Sequence, residues 1–108
     1  ALEGAGAEVY RVAEADGRVD LPAVLKALAA MEINDVLVES GPLLAGSLLT
    51  AGLVDELVIY QAPHMMGSET RGMLSTPTWQ ALEQRQALHI VEVRMLGADL
   101  RITARPTE

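Results

Sequence analysis

Residues 36–46, VLVESGPLLAG, decide the fold prediction, because they join two apolar runs across a Gly-Pro corner. Residues 36–39 predict a short strand that is covered on both faces, since their apolar side chains are consecutive rather than alternating. Pro42 is well placed in the first turn of a helix, where its missing N–H costs nothing. The stretch therefore predicts a strand that passes directly into a helix over residues 42–51.

The sequence upstream of this corner predicts another strand and another helix. Residues 9–12 are typical of a short strand, and the Asp-Gly pair at residues 16–17 indicates a turn. Asp20 is a good N-cap, and Pro22 falls in the first turn of the helix that follows. Apolar residues at spacings of three and four continue to about Glu32, as expected for an amphipathic helix.

The sequence downstream predicts further strands and a hairpin. Gly52 fits the position just after a helix, and residues 57–61 predict a third strand. A short helix is expected over residues 79–85. Residues 88–95 and 100–104 flank the turn sequence LGAD and predict a hairpin. The order β-α-β-α-β followed by a hairpin predicts an α/β fold with a mixed, mainly parallel sheet and antiparallel strands at one edge.

Composition limits the classes of function. The chain has 108 residues, enough for one modest domain, and its formal net charge is −7. Because no basic stripe is present, we expect no nucleic-acid partner. There is no cysteine, which excludes disulfides and thiolate metal sites and fits a cytoplasmic location. The longest uncharged run, residues 40–54, is shorter than the roughly 20 residues that span a bilayer, so we expect no membrane segment.

Two features near the Gly-Pro corner are candidate ligand contacts. A helix that starts at Pro42 presents free N–H groups and a partial positive charge, and Gly41 has no side chain to block a phosphate. Glu39 ends the preceding strand, where ligands of α/β sheets bind. The alternatives are an ordinary strand–helix corner and a solvated carboxylate. His64 and His89 are isolated and do not predict a metal site.

The chain also resembles a known family. The segment INDVLVESGPLLAGSLLTAGLVDELVIYQAPHMMGSETRGM resembles the reductase domain of the bifunctional riboflavin-biosynthesis deaminase/reductase, as do GRVDLPAVLKAL upstream and GADLRITARP near the end. The most specific part is Glu-x-Gly-Pro-x-Leu-Ala-Gly followed by Gly-Leu-Val-Asp-Glu-Leu. The resemblance implies that residues 1–108 are the C-terminal portion of such a domain, with no second domain. It also implies a three-layer, dihydrofolate-reductase-like sandwich.

The resemblance implies a function and a set of site residues. The family uses NADPH to reduce 5-amino-6-(5-phosphoribosylamino)uracil, a phosphorylated aminopyrimidine, to its ribitylamino form. Glu39 matches the acid that contacts substrate. The cofactor-lining residues are those that match the motif's next stretch: Gly41, Pro42, Leu43, Leu44, Ala45, Gly46 and Ser47. No residue is assigned a catalytic role.

Other interpretations remain open beside this one. The chain could belong to a reductase of the same fold with another substrate, or to a non-catalytic piece that assembles through its edge strands. His64 stands where the family usually has lysine. Any role that the positive charge of this lysine has in the family is therefore in question for this chain. The resemblance implies that residues before this segment form much of the substrate pocket. A partial cleft cannot hold cofactor and substrate in position to react, so we expect the chain alone to be inactive. Open sheet edges favour pairing, so a homo-oligomer is also expected.

Overall fold

The computed structural model describes residues 1–107, and the chain divides into two compact units, Ala1–Leu37 and Val38–Glu108. The first unit contains a 3-10 helix, a two-stranded hairpin and one α-helix. In chain order these are the 3-10 helix Glu3–Ala5, β1 (Glu14–Ala15), β2 (Arg18–Val19) and α1 (Leu21–Ala30). The hairpin turns through Asp16 and Gly17, which both have positive φ angles, 52° and 74°. The predicted Asp-Gly turn is therefore confirmed.

Both ends of α1 are closed by groups of the chain itself. At the start, the side chain of Asp20 accepts a hydrogen bond from the N–H of Ala23 at 3.3 Å. At the end, Glu32 adopts a left-handed conformation with φ 63° and donates its N–H to the carbonyl of Ala29 at 3.0 Å. The next N–H along the chain donates to the carbonyl of Leu28 at 3.2 Å. These paired bonds are a Schellman motif, which satisfies carbonyls that a helix end otherwise leaves free.

The second unit contains one α-helix and a three-stranded sheet. Its elements are α2 (Pro42–Thr50), β3 (Leu57–Gln61), a 3-10 helix (Leu82–Gln84), β4 (Leu88–Leu96) and β5 (Asp99–Pro106). The strand order is β3-β5-β4, and both pairings are antiparallel. The two-residue loop between β4 and β5 has its glycine, Gly97, at φ 62°, as hairpin turns of this kind require. The predicted hairpin and the predicted strand at residues 57–61 are confirmed.

The C-terminus of α2 repeats the closure seen in α1. Gly52 has φ 70° and donates its N–H to the carbonyl of Leu49 at 3.1 Å. Leu53 donates its N–H to the carbonyl of Leu48 at 3.0 Å. The predicted helix end at Gly52 is confirmed. Glycine adopts this left-handed conformation without steric strain because it has no Cβ.

The sheet has one apolar face and one mixed, polar face. On the apolar face, the cross-strand row Ile59–Ile102–Val93 runs through β3, β5 and β4. Ala104 in the central strand has no exposed surface, and Leu48 and Leu49 of α2 are 8% and 7% exposed. On the other face, Tyr60, Arg101 and Arg94 form the corresponding row. The most deeply buried apolar side chains of this unit therefore come from α2 and the central strand.

The predicted direction of the strands was wrong, although the α/β class is confirmed. Every strand pairing that is seen among residues 1–107 is antiparallel. Residues 9–12 and 36–39, which were predicted as parallel strands, carry no strand hydrogen bonds, and all of them are exposed except the half-buried Val12. A strand needs a neighbour to complete its ladder, and within the described residues neither segment has one. The third predicted strand, β3, pairs with β5 of the hairpin instead.

Candidate functional site

The corner between Glu39 and α2 is open on the side where a ligand could approach. Gly41 is the N-cap residue, with φ −71° and ψ 174°, an extended conformation that any residue can adopt. A Cβ placed on Gly41 would meet no atom within 4 Å. The glycine is therefore not required by the local backbone or by packing, and what it provides is free space beside the helix end.

The first turn of α2 has hydrogen-bond donors without acceptors. The first bond into the helix runs from the N–H of Ala45 to the carbonyl of Gly41, at 3.2 Å. Pro42 has no N–H, and no side chain caps the helix. The N–H groups of Leu43 and Leu44 therefore have no partner among residues 1–107, and they lie at the positive end of the helix dipole. Such an end can bind an anion.

The polar side chains beside this turn leave those donors free. The hydroxyl of Ser40 donates to the carbonyl of Gly41 at 3.2 Å, so it is turned towards the backbone of the corner. Glu39 is exposed, and within the described residues it takes part in no salt bridge or side-chain hydrogen bond. A carboxylate in this state is available to accept hydrogen bonds from a polar ligand.

Gly46 is in a different environment from Gly41. It is buried, and a Cβ placed on it would collide with the carbonyl oxygen of Ser75. The N–H of Ser75 donates to the carbonyl of Pro42 at 3.0 Å, which holds the loop backbone across the helix. Gly46 therefore allows a close backbone approach. Sequence reasoning missed this contact, although a glycine inside a helix, at a cost of about 1 kcal/mol, is a signal for one.

The predicted cofactor-lining stretch thus divides into exposed and enclosed residues. Leu43 and Leu44 are 67% and 42% exposed. Pro42, Ala45 and Ser47 are half-buried, and only Gly46 is buried. A ligand at this corner would meet Gly41, Leu43 and Leu44 first, while Gly46 meets the loop at Ser75.

Both histidines are exposed. The backbone N–H of His64 donates to the carbonyl of Ala62 at 2.9 Å in a tight turn, and the residue is exposed. His89 is exposed on β4. Within the part of the chain that is described, no three His, Cys, Asp or Glu side chains gather closely enough to hold a metal ion. No helix in the same residues is both long and apolar enough to cross a membrane.

Comparisons with known proteins identify related sequences. The chain is 40% identical over 89 residues to "Riboflavin biosynthesis protein RibD" of Escherichia coli K12, covering 82% of this chain and 24% of that protein. It is 30% identical over 89 residues to "5-amino-6-(5-phosphoribosylamino)uracil reductase" of Buchnera aphidicola subsp. Acyrthosiphon pisum, covering 82% and 43% of the two chains. The chain thus spans about a quarter of the length of the first relative and less than half of the length of the second.

A solved structure and a family model agree with these relatives. Acinetobacter baumannii RibD, in its second crystal form, superposes with a TM-score of 0.78 at 30% identity, over 84% of this chain and 27% of that one. The model of the RibD C-terminal domain matches residues 3–102. That match takes in α2, the Glu39 corner and most of the sheet. The chain therefore belongs to the RibD C-terminal domain family.

Proposed function

We propose that this chain is part of an NADPH-dependent reductase that converts 5-amino-6-(5-phosphoribosylamino)uracil to its ribitylamino product in riboflavin biosynthesis. The observation that carries the proposal is the uncapped, unobstructed N-terminus of α2, which follows an exposed carboxylate at Glu39. Family membership supports the same activity, because a relative bears the name of this reductase.

The N-terminus of α2 is the cofactor side of the proposed site. The N–H groups of Leu43 and Leu44 suit a phosphate oxygen of NADPH, since they are unpartnered donors at a positive helix end. The open space at Gly41 lets the cofactor come close to the backbone. The remaining residues of the proposed lining are Pro42, Ala45, Gly46 and Ser47. When bound, NADPH supplies the hydride, and the protein supplies position and electrostatics.

Glu39 is the substrate side of the proposed site. The motif resemblance assigns Glu39 to the aminopyrimidine substrate, whose hydroxyl and N–H donors suit a carboxylate acceptor. Glu39 is exposed and forms no salt bridge within the described residues, whereas the hydroxyl of Ser40 is turned to the corner backbone. No residue is proposed as a catalytic acid or base, because the reactivity comes from the cofactor and the chain contributes position.

The cofactor assignment is tested with Gly41→Val. The protein for the test is a chimera in which this chain replaces the matched segment of the Escherichia coli relative, which supplies the rest of the enzyme. Valine tolerates the backbone angles of Gly41, and its Cβ meets no atom within 4 Å. We expect NADPH affinity to fall at least tenfold, or about 1.4 kcal/mol, in a folded variant. Unchanged affinity would refute the cofactor site.

The substrate assignment is tested in the same chimera with Glu39→Gln, which keeps the shape of the side chain and removes its charge. We expect kcat/KM for the aminopyrimidine substrate to fall while NADPH affinity stays within about twofold. A loss confined to NADPH affinity would contradict the assignment. Failure of the parent chimera to turn over this substrate would instead favour a reductase with another substrate or a non-catalytic assembly piece.

Two further properties belong to this proposal. We propose that the protein is cytoplasmic, because NADPH as its cofactor and its lack of cysteine both fit that compartment. We also propose that it forms a homo-oligomer through a sheet edge, because the sheet ends in strands that are bonded on one side only.

A further inference from the structure

Charged side chains gather on the mixed, polar face of the three-stranded sheet. The strand register places Tyr60, Arg101 and Arg94 in one cross-strand row. Neighbouring side chains in such a row have Cβ atoms about 5 Å apart. The same face holds Glu92 and Thr103, which lie opposite each other two residues further along the strands. The chain has 8 Lys and Arg against 15 Asp and Glu, so two neighbouring arginines concentrate positive charge on an otherwise acidic protein.

The guanidinium group of Arg101 is only partly satisfied by the chain. Its Nη2 donates to Oε1 of Glu92 at 3.0 Å. This bond raises the pKa of Arg101 above its ordinary value, burial opposes the rise, and the nearby phenol of Tyr60 adds to it. The Nε of Arg101 is buried and has no hydrogen-bond partner among residues 1–107. Because a guanidinium carries five N–H donors, Arg101 keeps donors for a further acceptor.

Arg94 adds a second positive charge beside these donors. It is exposed and lies directly opposite Arg101. Within the part of the chain that is described, Arg94 forms no salt bridge. Like charges at directly opposite positions of two strands destabilise the pair. Glu92 balances one of the two arginines, so one positive charge of the pair is left without an opposite charge.

We propose that Arg94 and Arg101 bind a phosphate group, either free or carried by a small metabolite, on this face of the sheet. Guanidinium groups match the oxygens of phosphate with paired, charge-assisted hydrogen bonds. A dianion between the two arginines attracts both, which offsets their mutual repulsion. The hydroxyl of Tyr60, on the other side of Arg101, is a further donor. The inference does not rest on the proposed reductase function.

The arrangement of charges favours a small dianion over a long anionic chain. Carboxylates border the two arginines: Glu92 lies beside them, and Glu56 forms a salt bridge with Arg105 at 3.5 Å further along the same face. A polyanion such as nucleic acid would meet these carboxylates and be repelled. A phosphate group needs only the space between two neighbouring side chains. It also gains more than a single carboxylate from two cations, because the attraction increases with the charge of the ligand.

A phosphate titration of the isotope-labelled chain, followed by nitrogen–proton NMR, tests the site. The Nε–H of Arg101 is the main signal, because its burial slows exchange with water. The probes are inorganic phosphate and uridine monophosphate, above the second pKa of phosphate and at an ionic strength held constant with sodium chloride. We expect the signals of Arg101 and Arg94 to shift and to saturate. Tighter binding of inorganic phosphate indicates free phosphate as the ligand, and tighter binding of the nucleotide indicates a ring compound that also contacts Tyr60. Shifts that chloride alone reproduces would overturn the proposal.

Variants that remove one charge distinguish a specific site from general attraction. Arg94→Gln and Arg101→Gln should each weaken phosphate binding about fivefold or more, because each removes charge-assisted hydrogen bonds. Arg71→Gln, an equal charge change on an exposed loop, is the control and should bind within about twofold of the parent chain. Glu92→Gln should strengthen binding about threefold or more, because Arg101 loses its competing acceptor. Glu69→Gln, on the same exposed loop as Arg71, is the matched control for that gain. Equal effects in the site and control variants, or unchanged binding in Arg94→Gln, would each overturn the proposal.

Discussion

The two helices of this chain end in the same way and begin differently. Both α1 and α2 finish in a Schellman motif with a residue of positive φ, Glu32 in one and Gly52 in the other. At the start, α1 is capped by the carboxylate of Asp20, whereas α2 has an uncapped glycine, Gly41. The first turn of α1 is therefore satisfied by its own sequence, and that of α2 is left open. An open helix start costs stability, which is consistent with a ligand that supplies the missing acceptors.

The two glycines of α2 sharpen this contrast, because only one of them is required by packing. We expect Gly46→Ala to destabilise the chain by about 2–4 kcal/mol, since its Cβ would meet backbone of Ser75 that cannot rotate away. Gly41→Ala, which meets no atom, is the matched control and should lie within about 0.5 kcal/mol of the parent. Urea unfolding, monitored by circular dichroism, measures the free energy of unfolding of both variants. Similar stability for the two variants would mean that the loop does not hold Ser75 against α2.

Giving α2 the cap that α1 has should separate stability from cofactor binding. Aspartate is compatible with the extended conformation of Gly41, and as a cap it should raise the free energy of unfolding by about 0.5 kcal/mol. The same carboxylate would occupy the N–H groups and repel phosphate. In the chimera we therefore expect Gly41→Asp to lower NADPH affinity at least tenfold, or about 1.4 kcal/mol. A stabilised variant with unchanged NADPH affinity would show that the open end of α2 is not the cofactor site.

Local signals in the sequence predicted the helices and the hairpin, because each depends on residues close together in the chain. Asp20, Gly52 and the loop at Gly97 determine helix and strand ends by backbone angles and short hydrogen bonds. Strand direction depends on which distant segment supplies the ladder. The prediction of parallel strands followed the alternation of elements, and it was wrong because β3 pairs with the hairpin strand β5.

The site shows the same division between local and distant information. The open start of α2 could be predicted from Gly41 and Pro42, which determine it locally. The contact that encloses Gly46 could not, because Ser75 lies 29 residues further along the chain. That Glu39 contacts substrate, and that the stretch from Gly41 to Ser47 lines NADPH, stay predictions that the two chimera variants test.

The ends of the helices provide the smallest test of the comparison. The left-handed conformation of Glu32 costs about 1 kcal/mol or more, and its carboxylate also lies at the negative end of α1. We expect Glu32→Gly to raise the free energy of unfolding by about 0.5–1 kcal/mol, after the greater chain entropy of glycine is subtracted. Gly52→Ala should lower it by about 1 kcal/mol, because alanine at φ 70° acquires the penalty that Glu32 already has. Glu32→Gln separates the two causes, since it removes the charge and keeps the backbone strain. If Glu32→Gln and Glu32→Gly stabilise the chain equally in thermal and urea unfolding, the charge explains the effect and the two helix ends are equivalent in backbone energy.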